Sequence, residues 1–166
     1  METLLLFASA PIAGTVKARH AALRGEQGAV ALASAFLLDV ADTCGRWREQ
    51  RLGADLNRRV VLYAQADVDH PVLVEAARRA GARLELQPST DVGARLKHAF
   101  DLECERGARS VCAISAACPT LPAHLLDEAF RALVWEPVVL GPTLDAGPWL
   151  VGCQRPTPEV IADLPW

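Results

Sequence analysis

Short apolar runs alternate with amphipathic stretches along most of the chain. The runs Thr3 to Ala8, Val60 to Ala64, Arg83 to Gln87, Ser110 to Ser115, Pro137 to Gly141 and Trp149 to Cys153 have strand length and predict six strands. Several are almost continuously apolar, as strands covered on both faces must be. Between Glu26 and Cys44 the apolar positions Ala29, Leu32, Ala33, Phe36, Leu37, Val40, Ala41 and Cys44 recur at helical spacing and make one stripe. Further helices are predicted over Pro71 to Ala80, with Gly81 as stop, and over Asp91 to Arg106, with Ser89 or Thr90 as cap and Gly107 as stop. A fourth begins after Thr120, with Pro122 in its first turn and Leu125, Leu126, Ala129, Phe130 and Leu133 on one face. Strands alternating with helices predict a layered α/β domain on a largely parallel sheet.

Composition narrows this picture. The 166 residues are 51% hydrophobic, 22% charged and 5% aromatic, an ordinary globular balance. A chain of this size buries roughly 70% of its unfolded surface in one compact domain. The formal charge of −3 argues against nucleic-acid binding through bulk electrostatics. All but two of the 17 basic residues are arginines, so Lys17 and Lys97 stand out. The opening residues imitate a signal peptide, but they include an acid and no base, and Leu4 to Phe7 is too short for its apolar core; a strand is the better reading. No stretch approaches the length of a membrane span. Five cysteines, an odd number without paired metal spacing, fit a reducing cytoplasm. The run Arg46, Arg48, Arg51, Arg58 and Arg59 around Trp47 reads as a solvated loop or helix end rather than a phosphate or partner site. Three prolines after Arg155 and an abrupt end suggest that a final element is missing.

Four segments carry candidate chemistry. The first, Ser9 to Arg19, follows the first strand. In an open α/β sheet the ligand crevice lies at the carboxyl ends of the strands, and a loop of exposed backbone N–H groups with Lys17 and Arg19 suits a diphosphate. Its spacing is not that of a Walker loop, and a plain strand-to-helix turn is the alternative. The second, Gln87 to Arg95, places Asp91 at a helix start, where capping is the favoured role and a crevice wall the alternative. The third, Ile114 to Pro122, closes an apolar strand. The fourth, Leu140 to Trp149, joins the last two strands and brings the carboxylate of Asp145. Cys118 reads as a buried, inert thiol and His20 as a surface histidine.

In order and spacing these segments resemble the small bacterial glycosyltransferase-A-like proteins of the nucleotide-diphospho-sugar transferase superfamily, long catalogued as a domain of unknown function. The pattern F-A-R-x-P-x-x-G-x-V-K-T-R-L is matched by Phe7, Ala8, Pro11, Gly14, Val16, Lys17 and Arg19, and Q-x-x-x-D-L-G-x-R by Gln87, Asp91, Gly93 and Arg95. The pattern G-P-x-x-D-G-G-Y-Y-L-I-G is matched in part by Gly141, Pro142, Asp145, Gly147, Leu150 and Gly152. The resemblance covers nearly the whole chain. It implies a single three-layer domain over residues 1–166, with a mostly parallel mixed sheet between helices. It also implies a nucleoside diphosphate-sugar or nucleotide as partner, with neither nucleic acid nor membrane, and glycosyl or nucleotidyl transfer as the reaction. Ala8, Pro11, Gly14, Lys17, Arg19 and Arg95 would then surround the nucleotide phosphates, Asp145 and Asp91 would be catalytic, and Asp145 would hold Mg²⁺ or Mn²⁺.

The departures are specific. Where the pattern G-S-D closes the fourth strand, this chain has Ser115-Ala116-Ala117, so a methyl group replaces the expected metal-binding carboxylate. Ser9 replaces the arginine after Ala8, and Pro148 follows Gly147 in place of an aromatic residue. Mg²⁺ is commonly held by one or two carboxylates plus substrate phosphates, so metal recruitment by Asp145 alone is expected to be weak. A catalytically inactive relative that serves as a nucleotide-binding or protein-interaction module is the alternative.

Overall fold

The computed structural model describes residues 1–16, 18–50, 57–87, 91–144, 147–155 and 159, with the backbone alone for 18–20 and 92. The strands are β1 (Glu2–Ala8), β2 (Arg58–Ala64), β3 (Arg83–Leu86), β4 (Ser110–Ser115), β5 (Val138–Pro142) and β6 (Pro148–Gln154). The helices are α1 (Ala18–Glu49), α2 (Pro71–Ala80), α3 (Val92–Glu105) and α4 (Ala123–Ala132). The sheet order is β3-β2-β1-β4-β6-β5. β3, β2, β1 and β4 are parallel, while β6 runs antiparallel to both β4 and β5.

Period-two alternation sends the two faces of the sheet into separate cores. Leu4, Leu6, Val60, Leu62, Cys112 and Ile114 pack under α1, α2 and α4. Leu5, Val61, Tyr63, Val111 and Ala113 pack under α3, against Leu96, Ala99 and Phe100. The strand order turns back between β1 and β4, with α1 on one face and α3 on the other, which opens a crevice beyond the carboxyl ends of these two strands.

Several predicted boundaries shift for local reasons. The stripe predicted from Glu26 belongs to a longer helix that is interrupted at Gly25 (φ 71°, ψ 169°). Pro122 does not lie in the first turn of α4 but at its N-cap, in extended conformation. Asp91, not Ser89 or Thr90, caps α3; the latter two lie outside the described residues. The 29 residues Ala21–Glu49 are, by length and composition, long and apolar enough to cross a membrane, contrary to the sequence reading. In this fold the same helix buries Leu37, Val40, Ala41, Cys44 and Trp47 against the sheet.

The arginine run around Trp47 is also not a solvated segment throughout. Arg58 is buried, with Nε 3.0 Å from Glu2 Oε2 and Nη2 2.6 Å from Asp127 Oδ1. Its strand neighbour Arg59 points to the other face and reaches Glu103, a fully buried carboxylate that also pairs with Arg83 and Arg106.

Gly81 ends α2 in the left-handed region (φ 57°), and its N–H closes the last turn on Arg78 O at 3.2 Å. A Cβ here would lie 2.4 Å from the guanidinium carbon of Arg48. Gly81→Ala is therefore expected to cost about 1–2 kcal/mol for the left-handed backbone, lowering the melting temperature by roughly 2–8 °C for a domain of this size. A thermal melt followed by circular dichroism checks this.

Candidate functional site: the crevice at the ends of β1 and β4

The crevice has a volume of about 710 Å³. Two strand ends line it: Phe7 to Pro11 at the end of β1 and beyond, and Ile114 to Cys118 at the end of β4 and beyond. Ala33, Phe36 and Leu37 of α1 close one side, and Pro148 and Trp149 of β6 another. Gln65, Gln87 and Arg95 supply polar side chains from the β2, β3 and α3 side.

These polar groups are tied to each other and to the strand ends. Ser9 Oγ donates to Gln65 Oε1 at 2.8 Å, and Gln65 N donates to Ala8 O at 3.0 Å, which joins the loops after β1 and β2. Gln87 Nε2 donates to Tyr63 O at 2.9 Å and to Ala8 O at 3.3 Å. That fixes the amide so that Gln87 Oε1 accepts from Arg95 Nη1 at 2.5 Å, while Arg95 Nε reaches Asp91 O at 3.3 Å. The guanidinium is held on two edges, and Nη2 has no hydrogen-bond partner among the described residues. Arg95 is also the one charged side chain among the described residues lining the crevice. A forked donor held this way suits a phosphate oxygen.

The residues singled out in the sequence fall into three groups. Ala8, Pro11 and Arg95 line the crevice. Asp91 does not; its Oδ1 accepts from Ala94 N at 2.8 Å and caps α3. Gly14 (φ 80°) belongs to the turn closed by Thr15 N on Ile12 O at 3.0 Å, beside the wall residues Thr15 and Val16. Lys17 and Asp145 lie outside the described residues, and of Arg19 only the backbone is described. Ser9, the start of the first candidate segment, lines the crevice, whereas Gln65 is not singled out by the sequence reading, although it directly follows an apolar strand and the strand-end rule points to such positions. Cys118 is half-buried in the crevice wall, not in the core. The core thiol of Cys44 is pushed up to about 12 by burial, and burial likewise raises Cys112, so neither serves as a thiolate near neutral pH.

A divalent cation needs hard oxygen ligands, and the described wall does not fit one. Ala117 lines the crevice where a carboxylate would stand, no acid is among the described lining residues, and no cluster of three metal-ligating side chains occurs among the described residues.

Helices on both faces of a mixed sheet, the turn-back between β1 and β4, and a strand-end crevice define an open α/β fold. The chain belongs to the family described as "Uncharacterized protein conserved in bacteria (DUF2064)", which matches residues 49–166. Among solved structures it is similar to a candidate nucleotide-diphospho-sugar transferase from Desulfovibrio desulfuricans G20, with a TM-score of 0.83 at 24% identity, covering 98% of this chain and 67% of that one. A cytidylyltransferase from Leptospira borgpetersenii serovar Hardjo-bovis (strain JB197) gives 0.55 at 13% identity, over 98% of this chain and 62% of that one. The 4-diphosphocytidyl-2C-methyl-D-erythritol synthase from Anaerococcus prevotii DSM 20548 gives 0.53 at 13%, over 87% and 58%. The chain thus spans about two thirds of the length of the first two of these relatives. At these identities the likeness shows the fold. No curated protein matches the chain.

Proposed function

We propose that the crevice binds a nucleoside diphosphate-sugar or related nucleotide, and that the chain transfers a glycosyl or nucleotidyl group from it with weak dependence on a divalent cation. The observation that carries this reading is Arg95, a cation held on two edges by Gln87 and by the backbone of Asp91 at the end of a strand-end crevice. Its role is to stabilise charge on the departing phosphate, which a donor fixed before the reaction does without reorganisation. Lys17 and Arg19 of the loop after β1 would add positive charge on the phosphates. Asp145 would be the carboxylate that holds a divalent cation, if one binds with the diphosphate. The absence of a carboxylate at Ala117 favours a second reading, in which the domain binds the nucleotide without turning it over. We take the working compartment to be the cytoplasm, where nucleotide donors are made.

Calorimetry with nucleoside diphosphate-sugars, with and without Mn²⁺, tests both readings. The expected result is saturable binding that Mn²⁺ tightens little, and that Arg95→Ala weakens about 10- to 100-fold, the loss of one hydrogen bond to a charged group. Release of nucleotide in the presence of an acceptor separates transfer from silent binding. Absence of binding with and without Mn²⁺ would falsify both.

A further inference from the structure

We propose that the end of the crevice between β4 and β6 is a subsite for a flat, uncharged ring stacked on the indole of Trp149. The inference rests on the nucleotide reading for the source of the ring, not for the stacking itself.

The indole is seated by the absence of a side chain across the strand pair. A Cβ on Gly141 of β5 would come within 2.3 Å of Trp149 Cε2 and 2.5 Å of its Nε1, so the ring lies directly against the β5 backbone while it borders the crevice. Ile114 pairs with Leu150, so the end of β4 at Ser115 lies next to Trp149, and Ala116 and Ala117 line the same crevice. The wall there is Ala116, Ala117, Cys118 and Pro148, with no charge among its described members. An uncharged ring laid against this wall and the indole buries apolar area and gains stacking. Arg95 lines the same crevice, so one ligand can reach both the guanidinium and the indole. The ring is either the base of the donor or an aromatic acceptor.

Calorimetric titration of the wild type, Trp149→Phe, Trp149→Ala and Gly141→Ala with adenosine, phenol and pyrophosphate decides the matter. Trp149→Ala should weaken the bound ring probe about 10- to 100-fold, the range for removing one stacking partner. Gly141→Ala should act in the same direction by displacing the indole, and Trp149→Phe should retain most of the affinity. Pyrophosphate should bind all four proteins alike, which also shows that the variants are folded. Binding of adenosine supports the subsite and assigns it to the base; binding of phenol alone supports it and assigns it to the acceptor. Ring probes that bind Trp149→Ala as tightly as the wild type, or that fail to bind the wild type while pyrophosphate binds, overturn the proposal. Ring binding without pyrophosphate binding leaves the subsite standing and removes the nucleotide reading instead.

Discussion

Arg58→Met is expected to destabilise the fold by about 3–5 kcal/mol, the range for removing one partner of a buried ion pair, and to lower the melting temperature by roughly 10 °C. The side chain links four elements. Its guanidinium bridges Glu2 at the start of β1 and Asp127 of α4, at 3.0 and 2.6 Å. Nη1 donates to Trp47 O at 2.6 Å and Gln50 O at 2.9 Å, capping the carbonyls that the C-terminus of α1 leaves open. The guanidinium carbon also lies 4.6 Å from the centre of the Trp47 ring, which stacks on Phe130 of α4. Methionine retains much of the packing volume but leaves Asp127, itself buried, without its cation. Arg58→Lys should cost nearly as much, since one ammonium cannot reproduce the fork. Urea denaturation measures the loss. The double variant Arg58→Met/Asp127→Asn should lose clearly less than the sum of the single changes; strict additivity would show that the two groups are not coupled.

The same arginine shows where sequence reading stops. Taken as part of a charge run, Arg58 and Arg59 read as solvated, because the predicted strand began at Val60. In the fold the strand starts two residues earlier, and alternation sends Arg58 to the α1 and α4 side and Arg59 to the α3 side. A strand boundary misplaced by two residues thus changes the meaning of two charges. The elements themselves were legible because burial on both faces leaves a one-dimensional trace: continuous apolar runs such as Leu4 to Phe7 and Val111 to Ile114. The αL stop at Gly81 was legible for a similar reason, since its signal is local.

The crevice was legible as a place but not as a set of contacts. Its position follows from strand order, and strand order follows from alternating elements. Which polar groups meet there does not. Ser9 and Gln65 are 56 positions apart, and nothing in either local pattern announces their hydrogen bond. Asp91 had two plausible roles in the sequence, and geometry separates them: its carboxylate caps α3, while its carbonyl oxygen helps to orient Arg95. The departure at Ala117 was legible from the motif alone, whereas the placing of the end of β4 next to Trp149 depends on the register of β4 with β6.

That departure makes the second large prediction. Ala117→Asp is expected to turn the weak divalent-metal response of the parent chain into a strong one, with Mn²⁺ binding tightened at least 10- to 100-fold in the presence of a nucleoside diphosphate. Changes to groups that merely support a metal ligand already cost that much, and restoring a direct carboxylate should exceed them. The position is suitable because Ala117 lines the crevice and its N–H donates to Ser115 Oγ at 3.3 Å, which holds the turn after β4. A carboxylate here adds a hard oxygen ligand at an exposed position of the crevice rim, and with Mn²⁺ and a diphosphate present the metal takes oxygen ligands from both sides. Ala117→Asn is the control, since it has nearly the same shape without the charge. Manganese titrations followed by electron paramagnetic resonance should show tight binding for the aspartate variant and not for the asparagine variant. Equal behaviour of the two would mean that charge at this position does not reach the bound phosphates, and that the crevice has departed from a metal site by more than one residue.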